Sequence, residues 1–164
     1  MGLINIEKII PNYIGSEDEK IPKYFAQFNL DRNMLLPCRY MDYNRIETSK
    51  ADLKINSVKL VETIDGRSIE GQNLTGKKLV ILGNINTKFY FNCLKPNECS
   101  CGSRKICTLG DCIPFSKFIV VPNSLNENSP INLQYLIENM STMKIYKNKI
   151  FVSLTILIQY VDKY

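Results

Sequence analysis

The chain has 164 residues, of which 45% are hydrophobic and 23% are charged. This balance is ordinary for one globular domain, with or without an extra arm. Lysine and arginine outnumber the acids 21 to 16, for a formal net charge of +5; they are spread along the chain, which argues against nucleic-acid binding. Histidine is absent, so catalytic triads of the Ser-His and Cys-His types are excluded.

The apolar segments do not have the form of a membrane span or a leader peptide. The longest, Ile150–Ile158, is interrupted by Ser153 and Thr155 and is too short to cross a bilayer. Residues 1–11 include Glu7 and have neither a basic leader nor a small-residue cleavage site. We therefore expect a protein made in the cytoplasm.

Residues 1–30 form the first predicted unit, an N-terminal arm or connector. A charged break at residues 15–20 divides it. Beyond the break, Tyr24, Phe25 and Phe28 are apolar enough to dock, either on the chain's own domain or on a neighbouring subunit. Before the break, the apolar residues suit one face of a short helix or an extended arm: Leu3, Ile6, Ile9 and Ile10.

Residues 31–164 form the second predicted unit, a domain whose pattern is strand-like. Apolar and polar residues alternate over residues 53–64, and a phase slip near Ser57 predicts a β-bulge. The apolar members are Leu53, Ile55, Val58, Leu60 and Ile64. Asp65-Gly66 follows and is typical of a two-residue hairpin turn, because both residue types tolerate positive φ.

The clearest strand is predicted over Lys78–Asn92. Its odd positions form one apolar face: Leu79, Ile81, Gly83, Ile85, Thr87, Phe89 and Phe91. A cysteine-rich loop, Cys93–Cys112, follows and leads into an apolar strand at Ile113–Pro122. Prolines cannot donate to a ladder, so we expect those of this strand at its ends or on a sheet edge.

The C-terminal part predicts a second hairpin. Leu133–Met140 is a strand candidate, although its pattern also allows a helical turn, and the chain turns through Lys147-Asn148. The last strand has an entirely apolar face and should lie at the centre of a sheet: Ile150, Val152, Leu154, Ile156, Ile158 and Tyr160. Many strands with short turns predict an all-β fold, an antiparallel β-sandwich that is jelly-roll-like or similar, with an N-terminal arm.

Several segments, in order, resemble the SPOCS family of bacterial spore-coat proteins. Ser68–Ile85 is similar to the family's "EGQxLTGKKLxVEGxI" strand, and Ile113–Pro122 is similar to its "VPFSTFIVLP" segment. Tyr135–Met140 and Ile150–Leu154 stand where the family has its last two elements. The residues from Leu36-Pro37 to Arg45-Ile46 match the family's lead-in more loosely. The resemblance covers roughly residues 36–161.

The resemblance implies a protein of spore morphogenesis in a clostridia-like bacterium, made in the mother cell and deposited on the spore surface. Larger members place the domain beside a LysM module, for which this chain has no room. That departure and the cysteine-rich loop favour a small building block of a coat, exosporium or appendage over an adaptor. The family implies no catalytic residues and no cofactor.

The six cysteines are the candidate cross-linking residues: Cys38, Cys93, Cys99, Cys101, Cys107 and Cys112. Their spacing lacks the paired C-x-x-C knuckles of a zinc site, so we predict no metal. Cys99-Ser100-Cys101 could act as a redox dithiol, but no base stands near it. We expect disulfides within or between subunits, formed once the spore shell meets oxygen. Buried or idle free thiols are the alternative.

Two classes of function follow from these patterns. The first is a non-enzymatic structural protein that assembles with itself, and with other spore-coat proteins, through sheet edges or the N-terminal arm. The second is a monomeric adaptor that recruits a coat protein or a carbohydrate through one face of the sandwich. Isolated carboxylates such as Glu70 and Glu138 show no paired geometry for acid–base catalysis. We expect no nucleic-acid partner.

Overall fold

The structure, a computed structural model, describes residues 23–36, 46–93, 105–146 and 148–161. Within these residues the chain forms six β-strands and no helix, which confirms the predicted all-β class. The strands are β1 (Tyr24–Leu35), β2 (Ile46–Arg67), β3 (Asn73–Cys93), β4 (Lys105–Val120), β5 (Leu133–Tyr146) and β6 (Lys149–Tyr160).

The six strands form two antiparallel sheets of three strands each. Sheet A has the order β1-β6-β5, and sheet B has the order β2-β3-β4. β1 packs over β4 and β2 packs over β5, so β3 and β6 are the central strands. The predicted antiparallel β-sandwich is confirmed. Among the described strands, β2, β3 and β4 form a meander, and β5 and β6 form a hairpin flanked by β1. A jelly roll would instead contain two Greek keys.

The core lies between the two central strands. All the odd positions of β3 predicted to be apolar are buried, and those at Leu79, Ile81, Ile85 and Phe89 are fully so. The even positions of β6 from Ile150 to Tyr160 are also buried. Because side chains alternate between the two faces of a strand, these two rows meet and exclude water. The prediction that the last strand is central is therefore confirmed.

The bulge predicted near Ser57 is confirmed by a register shift between Ile55 and Ser57 in the pairing of β2 with β3. The shift moves Val58 onto the same buried face as Ile55. Ile64 does not follow this pattern, since it is 79% exposed. It lies where β2 and β3 extend beyond β4, whose last pair is Lys78 with Val120, so no second sheet covers it.

The predicted hairpin turn at Asp65-Gly66 is wrong. These two residues are still in β2, where Asp65 is opposite Thr75, and residues 68–72 make the turn. The Ser68 N–H donates to the Gln72 carbonyl at 2.9 Å, and the Gly71 N–H donates to the Ser68 carbonyl at 2.9 Å. Gly71 has φ of 85°, a conformation that glycine adopts without a Cβ clash, so the turn chemistry lies at Gly71.

The cysteine-rich region is more regular than predicted. β3 continues to Cys93 and β4 begins at Lys105, so Cys107 and Cys112 are strand residues rather than loop residues. Because their positions differ by an odd number, they lie on opposite faces of β4. Pro114 is also inside β4, opposite Asn84. β4 is an edge strand, which agrees with the expectation for prolines.

β1 begins at Tyr24 and pairs with β6 up to Leu35, so part of the stretch assigned to the arm is a sheet strand. Tyr24 and Phe28 pack against the core of their own domain. Phe25, between them, is 48% exposed on the outer face. Residues 1–22 of the predicted arm lie outside the described residues.

Gly83 marks a close approach in the centre of sheet B, and its replacement tests the packing. A Cβ at this position would lie 2.5 Å from Cζ of Phe115 and 2.6 Å from the carbonyl oxygen of Lys54. We expect Gly83→Ala to lower the free energy of unfolding by about 1–3 kcal/mol, as overpacking does. Urea denaturation measures this change.

Gly110 provides the matched control, because it lies on the exposed face of the edge strand β4. A Cβ there would meet only the Thr87 carbonyl oxygen, at 3.4 Å. Gly110→Ala should change the unfolding midpoint little. Equal midpoints for the two variants would contradict the packing described for Gly83.

Candidate functional site

The described residues do not gather the side chains of a metal site. No group of three or more Cys, Asp or Glu among them is placed to hold a metal ion. Nor does the described part of the chain contain a helix of the length and apolarity that a membrane crossing requires. Among the described residues, the features relevant to function are the cysteines and the sheet edges.

The structure separates the two cysteines whose side chains it describes. Cys107 is half-buried, packs against the core and is disulfide-bonded. Cys112 is exposed and is a free thiol. Cys38, Cys99 and Cys101 lie outside the described residues, as does the side chain of Cys93.

The Cys112 thiol lies on the outer face of sheet B, next to two asparagines of β3. Asn84 Nδ2 donates to the Cys112 sulfur at 3.4 Å and to Asn86 Oδ1 at 3.2 Å. The Cys112 N–H donates to Asp111 Oδ1 at 2.9 Å. The amide and backbone contacts fix the thiol on an open face, where another molecule can reach it. Reaction would require the thiolate form.

The side of the sandwich where β1 covers β4 is closed by polar and aromatic contacts. Arg32 Nε of β1 donates to Asp111 Oδ2 of β4 at 3.3 Å. The rings of Phe28 and Phe115 lie 5.7 Å apart, and the Lys117 ammonium is 4.9 Å from the Phe28 ring centre. We call this the β1/β4 side. Cys112 is the next residue of β4, so it lies at the same edge of the sandwich, but its side chain points to the outer face of sheet B, away from β1.

The four edge strands differ in how far they are protected against pairing with another chain. The pairing of β2 and of β5 with their neighbours contains register shifts, and β4 contains Pro114. β1 pairs with β6 from Tyr24 to Leu35 without a shift and contains no proline. Of the described edges, β1 is thus the most regular template for an added strand.

On the opposite side of the sandwich, β2 packs over β5. Tyr135 of β5 packs against the core there. Burial raises the pKa of the Tyr135 hydroxyl, and the negative charge of Asp52 raises it further. The neutral phenol is therefore favoured, and we assign this residue to packing rather than to chemistry.

Comparison with protein families matches residues 42–155 to the SPOCS domain of SipL. The chain belongs to the SPOCS domain family. The match spans β2 to β5 and most of β6, and confirms the resemblance seen in the sequence. It leaves out β1, which the structure nevertheless places in sheet A. No curated protein and no solved structure matches the chain.

The SPOCS-like segment at residues 68–85 has a structural explanation. Gly71 and Gly76 both have positive φ, which side chains with a Cβ rarely adopt. The Thr75 hydroxyl donates to the Val121 carbonyl, and Lys77 Nζ donates to the Leu125 carbonyl at 2.8 Å. This segment therefore forms a turn and holds the loop after β4 against the β2–β3 hairpin.

Sequence reasoning missed the Arg32–Asp111 pair and the regular edge of β1. The pair joins residues far apart in the chain, and neither has a distinctive neighbourhood in the sequence. The β1 edge was missed because Tyr24–Leu30 was assigned to the arm. The alternation of Tyr24, Ala26 and Phe28 with polar residues was a usable signal.

The two cysteines whose side chains are described should differ in reactivity. We expect iodoacetamide to alkylate Cys112 in the native protein without reductant, because it is exposed and free. Cys107 should resist until the protein is reduced, since its sulfur is in a disulfide. Peptide mass spectrometry measures both sites. Labelling of Cys107 before reduction, or protection of Cys112, would contradict the described geometry.

Proposed function

We propose that this chain is a structural protein of the bacterial spore surface that assembles with copies of itself and is fixed by disulfides. Membership of the SPOCS family indicates a sporulation-related role. The finer proposal is that the protein is made in the mother cell, is deposited on the spore and acts without catalysis. Other spore-coat proteins are possible further partners.

One observation supports self-assembly above the others. The regular edge of β1 lies over β4, and β4 carries the exposed free thiol of Cys112 on its outer face. An edge strand presents unpaired N–H and C=O groups that another strand can satisfy. A thiol beside such a contact can convert it into a covalent one.

The two parts of this mechanism do different work. Strand addition is directional and sets the register of two subunits, but by itself it follows mass action and reverses on dilution. A disulfide formed after contact makes the product independent of concentration. Oxidation of two thiols to a disulfide releases two electrons and two protons, which oxygen accepts once the shell is exposed to it. Assembly and fixation are thus separate in time.

The adaptor alternative predicts a different behaviour. A monomeric binding module would remain a single species whether oxidised or reduced, and its thiols would be dispensable. Size-exclusion chromatography with light scattering, with and without reductant, separates the two functions. Large species that shrink on reduction favour self-assembly, whereas a monomer under both conditions favours the adaptor.

Removal of residues 1–22 tests the contribution of the N-terminal segment. We expect the shortened chain to fold, because β1 begins at Tyr24, and to form smaller species than the full chain, because only the β1 edge and Cys112 remain to join subunits. Circular dichroism measures folding and light scattering measures size. An unchanged size distribution would contradict a connecting role for these residues.

Removal of residues 1–30 is the matched control, and it should behave differently. It also deletes Tyr24 and Phe28, which pack against the core, and it uncovers half of the β6 edge. Burial of a large apolar side chain contributes about 1.5–3 kcal/mol, which is a large share of the stability of a domain. This longer deletion should therefore yield no folded protein.

Replacement of the exposed thiol tests the covalent step alone. Cys112→Ser should leave the free energy of unfolding within about 0.5 kcal/mol, as surface changes do. It should abolish the species that resist dilution and denaturant until reduced. Non-reducing electrophoresis measures this loss. Retention of the full ladder of covalent species in Cys112→Ser would show that other cysteines form the links.

A further inference from the structure

The fold gathers lysines that are dispersed in the sequence onto one surface. The outer face of sheet B carries five of them and one carboxylate: Lys50, Lys54, Lys59, Lys78, Lys88 and Asp52. Lys50 and Lys88 are directly opposite each other in the ladder. Like charges in such a pair are destabilising, so this face would be stabilised by an acidic partner.

The same face has a contiguous apolar patch at the end of β4. Val80 lies opposite Phe118, and Lys78 lies between Val61 and Val120. Leu82, the next outward residue of β3, is 45% exposed, and Phe118 is 52% exposed. We define the patch as Val61, Val80, Leu82, Phe118 and Val120. Lys59 and Lys78 are its nearest charges, and the Lys78 ammonium lies 4.5 Å from the Phe118 ring centre.

The start of the described chain lies at the same end of the sandwich as this patch, although β1 belongs to sheet A and the patch faces outward from sheet B. β1 and β4 run in opposite directions across the sandwich, since Arg32 contacts Asp111 and Phe28 contacts Phe115. Four residues before Phe28 in β1 is Tyr24. By the same offset, Tyr24 lies level with Ile119 of β4. Residues 1–22 therefore join the domain at the patch end of β4.

Residues 1–22 match the face in both apolar and charged character. Tyr13 and Ile14 are followed by an acidic run, Glu17-Asp18-Glu19, and the whole segment has four acids against two lysines. Twenty-two extended residues reach about 70 Å, which is enough for either the same molecule or a neighbour. Face-to-face stacking of two copies is disfavoured, because it would bring two sets of lysines together.

We propose that residues 1–22 dock on the outer face of sheet B, with apolar side chains on the patch and the acidic run near Lys59 and Lys78. This inference rests on the proposed self-assembly for its purpose, since docking on a neighbouring copy would connect subunits. It assigns the surface that receives residues 1–22, which the proposed function does not specify.

Photo-crosslinking of the full chain tests the contact directly. Benzoylphenylalanine replaces Phe118, or Leu82 in a second variant, and each protein is checked for folding by circular dichroism. Equal amounts of unlabelled and ¹⁵N-labelled protein are mixed under denaturing, reducing conditions, refolded together and irradiated. Mass spectrometry then identifies the crosslinked peptides. Met143, 60% exposed on the outer face of sheet A and far from residues 1–22 in the sequence, is the matched control position.

We expect crosslinks from positions 118 and 82 to peptides within residues 1–22, and at least fivefold fewer from position 143. Crosslinks between labelled and unlabelled chains would show docking on a neighbour, and crosslinks within one isotope alone would show docking on the same molecule. Both support the surface, but only the first supports the proposed function.

Two results would overturn the inference. One is crosslinking from positions 118 and 82 only to residues of the folded domain or to a second sheet B face. The other is an equal yield from position 143. If large species still form in either case, self-assembly stands and only the assigned surface is wrong.

A charge variant provides a second measurement that does not depend on the crosslinker's bulk. Lys59→Glu should reduce the yield of crosslinks from position 82 to residues 1–22 at least threefold. Combining it with Glu17→Lys and Glu19→Lys should restore much of that yield. The same Lys59→Glu change should leave the circular dichroism spectrum unaltered, since Lys59 is exposed. An unchanged yield in Lys59→Glu would contradict the electrostatic part of the contact.

Discussion

The structure depends on the contact between the inner faces of β3 and β6. Each face is an unbroken row of buried positions, including Ile81 and Ile85 on β3 and Leu154 and Ile156 on β6, all fully buried. Burial of each such side chain contributes about 1.5–3 kcal/mol, so these two rows provide a large share of the driving force for joining the sheets. The outer strands pack beside them, and each leaves one edge without a paired strand among the described residues.

Unequal strand lengths determine which surfaces remain uncovered. β2 and β3 continue past the last β4 pair at Lys78, so their hairpin extends beyond the sandwich as a two-stranded ribbon. Ile69 at its tip is fully exposed, and no apolar side chain of the described residues covers it. Instead, Thr75 and Lys77 bond to carbonyls of the loop after β4. The SPOCS-like residues there are thus explained by backbone geometry and polar anchoring rather than by ligand binding.

The sequence was sufficient for features that depend on alternation alone. It predicted the buried faces of β3 and β6, the bulge near Ser57 and the sandwich, because a period of two and its slips are visible without knowledge of partners. It failed where partners decide the outcome. Asp65-Gly66 has the chemistry of a turn, but pairing opposite Leu74 and Thr75 keeps it in the strand. Cys107 and Cys112 were assigned to a loop because β4's pairing with β3 was not visible in their spacing.

The same limit applies to the distribution of charge. Lys50, Lys59 and Lys78 are far enough apart in the chain to suggest a diffuse surface, yet pairing of β2 with β3 places them on one face. Net charge is thus a poor guide to local charge in a sheet, because antiparallel pairing brings distant residues of equal parity together. Under the proposed self-assembly, a basic face beside an apolar patch would be costly to leave uncovered, because neighbouring copies carry the same charge. The acidic segment that precedes β1 would neutralise that face, and it joins the domain at the end where the patch lies.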